Sequence, residues 1–333
     1  MSTTVAAYQL VETDEGVRGR HTRIPLEDLG EGDVLIRVTH SSVNYKDGLA
    51  ATGRAPIARR LPLVGGCCAA GTVVEPGESG LPADTVVAVV GATLSEQHNG
   101  GYCEYLRVPA AWVVAVPEAF TSRQAAAIGT AGVTSAMAVV KLEDAGVTPA
   151  SGPIAVTGAS GGAGSLAVAL LAARGYEVTA LTGKPEAEDL LRDLGAANVA
   201  PRPDTSGTRP LERGTWAGAV DTVGGDTLAW LTRTVAPGGS IAAFGNAGGN
   251  RLTTTVLPFI LRGINLLGVT VTFPAAELRE RVWELLASSL SREALDAIAT
   301  DVDFEDLDDA LRRIVTTGVV GRQVVRIGGE AAV

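Results

Sequence analysis

Residues 156–165 read VTGASGGAGS, set between the apolar stretch PIAVTG and the helix-forming run LAVALLAARG. A short apolar strand therefore passes through a glycine turn directly into a helix. Gly158, Gly161 and Gly164 follow a G-x-x-G-x-x-G spacing. The next stretches continue the alternation: YEVTALTG, PEAEDLLRDLG, NVA, GAVDTVG, DTLAWLTRTVA, GSIAAFG and NLLGVTV. Strands with one-element apolar runs, separated by helices, demand a doubly wound parallel sheet covered on both faces.

The glycine spacing sits where such a fold binds an anion. Glycine permits the tight turn, lets the backbone approach a pyrophosphate and lets helix and strand pack closely. Free N–H groups at the helix start then hold the phosphates. A glycine-rich turn without a ligand is the alternative, but strand, loop, helix and following strand all arrive in order, which favours a dinucleotide. The second strand ends Thr182-Gly183-Lys184, without the carboxylate that would accept from a ribose 2′-hydroxyl. A hydroxyl, an exposed backbone and an ammonium suit a 2′-phosphate instead, with Arg202 of APRPD as a second cation. Lys184 read as an ordinary solvated lysine competes with this. The chain has only three lysines against 24 arginines, so a lysine here is less readily filler. NADPH is expected over NADH.

The rest of the chain has a different texture. Roughly the first 120 residues read as short strands punctuated by glycine and proline, a partly antiparallel β-rich domain. Residues 123–145 turn helical, and after residue 272 two helices precede a final strand, GRQVVRI. The expected architecture is α/β, with a β-rich domain (residues 1–122 and 272–333) interrupted by a nucleotide-binding domain (residues 123–271). A formal charge of -10 argues against nucleic acid or an anionic membrane as partner. No segment reads as the approximately 20 apolar residues of a membrane span, and the N-terminus has no basic n-region. Three cysteines make no disulfide framework, so a cytoplasmic protein is expected.

These residues, together with SSVNYKDGLAATG, GTAGVTSAMAV, LEDAGVTP, TWAGAVDTVGGDTL and TTVLPFILRGINLLGV, carry a resemblance over essentially the whole chain. The sequence resembles the medium-chain dehydrogenase/reductase superfamily. Within it, the sequence is most similar to the acrylyl-CoA reductase branch of the zinc-independent quinone oxidoreductase-like proteins. The resemblance implies a GroES-like catalytic domain, a Rossmann domain, a cleft between them and a homodimer. It also implies NADPH delivering hydride to the β-carbon of an α,β-unsaturated thioester. Carried over by motif, Tyr45 of NYKD lines the nicotinamide, and Ser160, Gly161, Gly162 and Ala163 hold the pyrophosphate. Thr182, Gly183, Lys184 and Arg202 hold the adenosine 2′-phosphate, while Asn246 and Ile260 lie along the rest of the cofactor.

The same resemblance tests for a metal. The ligand positions of the superfamily's zinc enzymes correspond here to Asn44, Cys67 and Thr130, and the four-cysteine structural lobe is missing. One soft ligand is too few for a catalytic zinc, which takes three protein ligands. No metal is expected. The paired cysteines of GGCCAAG then read first as small buried hydrophobes, since no cationic residue adjoins them in sequence. The branch usually carries aspartate where this chain has Cys68, and Asp-Ser where it has Thr270-Val271. Its G-E-x-H-x-G-G loop keeps Glu96 and His98 but shows Asn99 for tryptophan. The second reading, after packing, is that these departures retune the substrate pocket and move its preference away from acrylyl-CoA.

Conjugate reduction needs a positioned hydride, a polarised carbonyl and a proton for the α-carbon. Asn44 and Tyr45 are the polar pair best placed by motif, and Asp47 is expected to hold the loop through its backbone. Arg59 and Arg60, with Arg54, form a basic cluster able to meet CoA phosphates, unless they are only a solvated loop. Three readings stand: an enoyl-thioester reductase, a quinone or free-enone reductase, and an NADPH-binding protein with little catalysis. In each the partner is a small molecule, with a CoA thioester in the first.

Overall fold

In the computed structural model, which describes residues 3–316 and 318–328, Ile154–Thr157 is buried at every position. It lies inside a six-stranded parallel sheet of spatial order Asn198–Pro201, Val178–Thr182, Ile154–Thr157, Trp216–Asp221, Val235–Ala243, Asn265–Gly268. Relative to chain order this is 3-2-1-4-5-6, so direction of travel reverses between Ile154–Thr157 and Trp216–Asp221. Ligands of such sheets bind outside the strand C-termini at that switch point. The glycine loop leaves the first of these two strands.

The helix that follows, Gly162–Ala173, is apolar nearly all round and buried from Gly164 to Leu171. An all-apolar helix must be covered on more than one side. Helices Ala276–Ser289 and Arg292–Ile298 pack on it, burying Val282, Leu286 and Leu295. The chain accordingly divides into two compact units. One comprises Met1–Thr130, Val271–Phe273 and Ala299–Val333, the other Ala131–Thr270 and Pro274–Ile298. Residues 274–298 belong to the nucleotide-type unit, where the sequence had suggested one block from 272 to 333. A pair of amphipathic helices does not by itself say which core it covers.

The β-rich unit holds a three-stranded sheet of Gly16–Pro25, Thr4–Thr13 and Leu63–Val64 and a seven-stranded sheet. In the larger sheet the central strand Val34–Val43 pairs with Arg322–Arg326, Cys68–Glu75 and Tyr105–Val108. Tyr8, Leu10, Ile36, Leu63, Leu94 and Leu106 fill the core. Contrary to the sequence expectation, one helix, Ser122–Asp144, is long and apolar enough by composition to cross a membrane. Its apolar window is 89% buried, and the helix is broken at Gly129 (φ 43°, ψ -152°), which marks it as a core helix.

Candidate active site

In the nucleotide-type unit the glycine loop has the geometry of an anion cradle. Gly158 has φ +60°, and a side chain there would meet the Thr222 hydroxyl. A Cβ at Gly164 would overlap the Gly158 carbonyl, so the helix start can close on the loop only as glycine. The first N–H groups of Gly162–Ala173 are left without intrahelical acceptors. The Thr182 hydroxyl donates to Ser160 Oγ (2.7 Å) and accepts from Lys184 N (3.1 Å), tying loop to second strand. Thr182 is in register with Pro201, so Arg202 arrives beside Gly183, and its guanidinium lies where a Cβ of residue 183 would stand.

The structure thus brings Ser160, Thr182, Gly183, Lys184 and Arg202 together, with Gly161, Gly162 and Ala163 forming the turn into the helix. Asn246 lies in an exposed turn, its carbonyl accepting from Gly249 N (3.0 Å). Ile260 is 68% exposed on helix Leu257–Arg262, next to Val256 and Leu261, both exposed. Sequence reasoning missed Asp221, which closes the buried strand Trp216–Asp221. Its carboxylate accepts from Thr157 Oγ1 (2.7 Å) and Gly224 N (2.8 Å), fixing the two strand ends at the switch point. Burial pushes that carboxyl up, against the pull of Thr157 and the Gly224 and Val223 amides.

In the β-rich unit the residues Ser42-Val43-Asn44-Tyr45-Lys46-Asp47 run from a strand end into helix Tyr45–Ala51. Asp47 is fully buried and accepts from Asn44 N (3.1 Å), Asn44 Nδ2 (3.0 Å) and Cys67 N (3.0 Å), holding the loop through backbone as expected. Burial pushes the Asp47 carboxyl up, while Asn44, Lys46 and Cys67 pull it down. Asn44 Nδ2 also donates to Ser42 O (3.1 Å), and Arg322 Nη1 donates to Asn44 Oδ1 (3.1 Å). Both amide hydrogens have protein acceptors, so Asn44 braces the site and is not the free donor to substrate that the sequence suggested. Tyr45, half-buried at the helix start, makes no hydrogen bond through its hydroxyl among the described residues. Lys46 pairs with Glu96.

The remaining sequence candidates divide between packing and surface. Cys68 is 1% exposed, its thiol 3.0 Å from Ser42 Oγ, so packing describes it. Asn99 is buried, donating to the Asp28 and Leu29 carbonyls (3.1 and 2.8 Å) and accepting from Val64 N (3.0 Å). It staples two loops, and the substrate contact expected of it has no free polar atom to make it. Arg59 and Arg60 are exposed, Arg60 Nε donating to Gln97 O (2.7 Å). Arg322, buried in the last strand, could not be singled out from the sequence: GRQVVRI shows two arginines, Arg322 and Arg326, and nothing in it says that the first is buried and the second exposed.

Known proteins bear on this geometry. A family model described as alcohol dehydrogenase GroES-like domain matches residues 30–118, and one described as zinc-binding dehydrogenase matches residues 162–288. The acrylyl-CoA reductase AcuI of Ruegeria pomeroyi is 43% identical, over 92% of this chain and 93% of its own. The chain belongs to the medium-chain dehydrogenase/reductase superfamily. Among superfamily structures, the YhdH oxidoreductase of Salmonella enterica in complex with NADP matches with TM-score 0.94 and 40% identity, over 97% of this chain and 100% of that one. YhfP of Bacillus subtilis with NAD bound matches with TM-score 0.91 and 39% identity, over 98% and 100%.

The zinc in one family description does not fit this member of the superfamily. At the three positions that correspond by motif stand a thiol, a hydroxyl and an amide: Cys67 Sγ lies 3.4 Å from Thr130 Oγ1, and Asn44 Oδ1 is taken by Arg322. Burial, reinforced by Asp47, pushes the Cys67 thiol well up, so it is a poor source of thiolate. A buried guanidinium alongside further opposes a second cation. A dinucleotide, in contrast, fits the glycine loop and the Thr182–Arg202 corner.

Proposed function

We propose that this chain is an NADPH-dependent reductase of activated C=C bonds, acting on an α,β-unsaturated acyl-CoA of the acrylyl-CoA type. The observation that carries this reading is the 43% identity to an acrylyl-CoA reductase, sustained over 92% of the chain. The backbone at Ser160, Gly161, Gly162 and Ala163 holds the pyrophosphate, and Thr182, Gly183, Lys184 and Arg202 hold the 2′-phosphate. Asn246 and Ile260 border the cofactor. NADPH, when bound, supplies the hydride. Tyr45 offers the one uncommitted hydroxyl of the NYKD segment and donates to the developing enolate oxygen or to the α-carbon. Arg59 and Arg60 meet the CoA phosphates. The protein works as a cytoplasmic homodimer, supported by the exposed apolar run Val256, Ile260 and Leu261 beside the sheet-edge strand Asn265–Gly268.

A quinone or free-enone reductase is the second reading, favoured by a relative of 40% identity, YhfP, that carries a quinone oxidoreductase name. Following NADPH oxidation with acrylyl-CoA, crotonyl-CoA, a simple enone and a p-quinone in parallel separates the two. Turnover of the thioesters is expected. Turnover of the enone or quinone alone transfers the assignment to the second reading, and silence with all four rejects both.

A further inference from the structure

Arg322 is the most deeply buried cation of the β-rich unit's described residues, only 3% exposed, and no carboxylate touches it. A guanidinium taken out of water without a counter-charge is strongly disfavoured, and arginine does not escape by losing its proton. Four donations offset that cost. Nε reaches Ala127 O (2.9 Å), Nη1 reaches Val43 O and Asn44 Oδ1 (both 3.1 Å), and Nη2 reaches Ser42 Oγ (2.5 Å). Only the bond to Asn44 leads to a charge. Asn44 passes its own Nδ2 donor to Asp47 Oδ2 (3.0 Å), and Asp47 is itself buried.

The amide dipole therefore lies head to tail between a buried cation and a buried anion. Flipped, it would set an oxygen against a carboxylate and an NH2 against a guanidinium, so the charges fix its orientation. Such chains polarise one another and strengthen every link. The same Asp47 oxygen accepts from the Asn44 backbone N–H, and the other accepts from Cys67 N, so the helix start bearing Tyr45 hangs on this one carboxylate.

We propose that Arg322 and Asp47 are coupled positioning residues, an ion pair bridged by the Asn44 amide, that hold the first turn of helix Tyr45–Ala51 in the geometry needed for the reaction. The kinetic part of this rests on the reductase reading above. Its structural part does not.

The test is a double-mutant cycle on the full chain with Arg322→Met, Asp47→Asn and the pair. Because the two side chains do not touch, their effects should multiply unless Asn44 couples them. Each single change is expected to lower kcat by about 10²-fold, the loss typical of a small misplacement of reacting groups. KM for the substrate and NADPH affinity should hold, and the pair should be no worse than the poorer single. Hydrogen exchange should rise across residues 45–51 in both singles and no further in the pair. Arg322→Lys, which keeps the charge and loses the fork, takes the place of Arg322→Met if the latter does not fold. Fold losses that multiply, or exchange in 45–51 that stays at the wild-type rate, would overturn the proposal. If the wild type turns over none of the four substrates, the reductase reading fails while the exchange cycle still decides the coupling.

Discussion

Gly183 leaves room for a guanidinium. With a Cβ at that position the Arg202 side chain would have to move, and since it is the far end of a flexible side chain, it can. Gly183→Ala is therefore expected to leave stability within about 0.5 kcal/mol of wild type. Under the proposed assignment it should weaken NADPH roughly tenfold, the worth of one hydrogen bond to a charged group, and leave NADH unchanged. Titration of both cofactors checks this, and equal weakening would remove Arg202 from the 2′-phosphate site. The sequence made this corner legible because its parts are local: a strand end, a hydroxyl, a glycine, and a cation one parallel strand away. Arg322 was not legible for the opposite reason. Its partners Ser42, Asn44 and Ala127 are brought to it by the pairing of the last strand with Val34–Val43 and by the packing of helix Ser122–Asp144, across some 200 to 280 residues of chain. Asn44 illustrates the intermediate case: its place followed from the motif, but its hydrogen-bond partners, and so its role, did not.

At the scale of elements, periodicity located the parallel strands and their helices but not their breaks. The alanine-rich run 123–145 reads as helical with small breaks that the pattern does not place, and the structure shows Ser122–Asp144 with a single interruption at Gly129. There φ is +43° and ψ is -152°, a conformation that is strained for any residue with a Cβ. The space is occupied as well, since an added methyl would come 2.8 Å from Ser42 Oγ and 3.2 Å from both Arg322 Nη2 and Cys68 Sγ. Gly129→Ala should cost about 1–3 kcal/mol. Urea unfolding should show it as a lowered midpoint at unchanged m. A stability equal to wild type would mean the break is not needed by the polar nest around Arg322. The same nest explains why the paired cysteines need no redox role. Cys68 packs against Ser42, and Cys67 faces Asp47 and Thr130, each thiol meeting a different partner.

At the scale of the molecule, the β-rich unit is assembled from both ends of the chain, as the returning strand GRQVVRI suggested. One contact joins those ends at a distance no sequence pattern could have signalled: Tyr8 of strand Thr4–Thr13 donates its hydroxyl to Asp308 of helix Leu307–Thr316 (2.6 Å). Burial pushes the Tyr8 hydroxyl up and Asp308 adds to this, so tyrosine remains the donor. Partial burial pushes the Asp308 carboxyl up, but the hydrogen bonds from Tyr8 and Arg312 outweigh it and hold the group below the ordinary carboxylate range. A carboxyl whose folded pKa is depressed adds stability above its unfolded pKa of about 3.9, and that stability is lost as pH falls through the folded value. Tyr8→Phe should therefore lower stability by about 1 kcal/mol at neutral pH, discounted for the exposure of the carboxylate. The gap between mutant and wild type should narrow below about pH 4, as Asp308 takes up its proton in both. Urea midpoints of the two proteins, followed from neutral pH downward, read this directly. A gap independent of pH would assign the loss to packing of the ring alone, and the clasp between the chain's two ends would then owe nothing to the charge on Asp308.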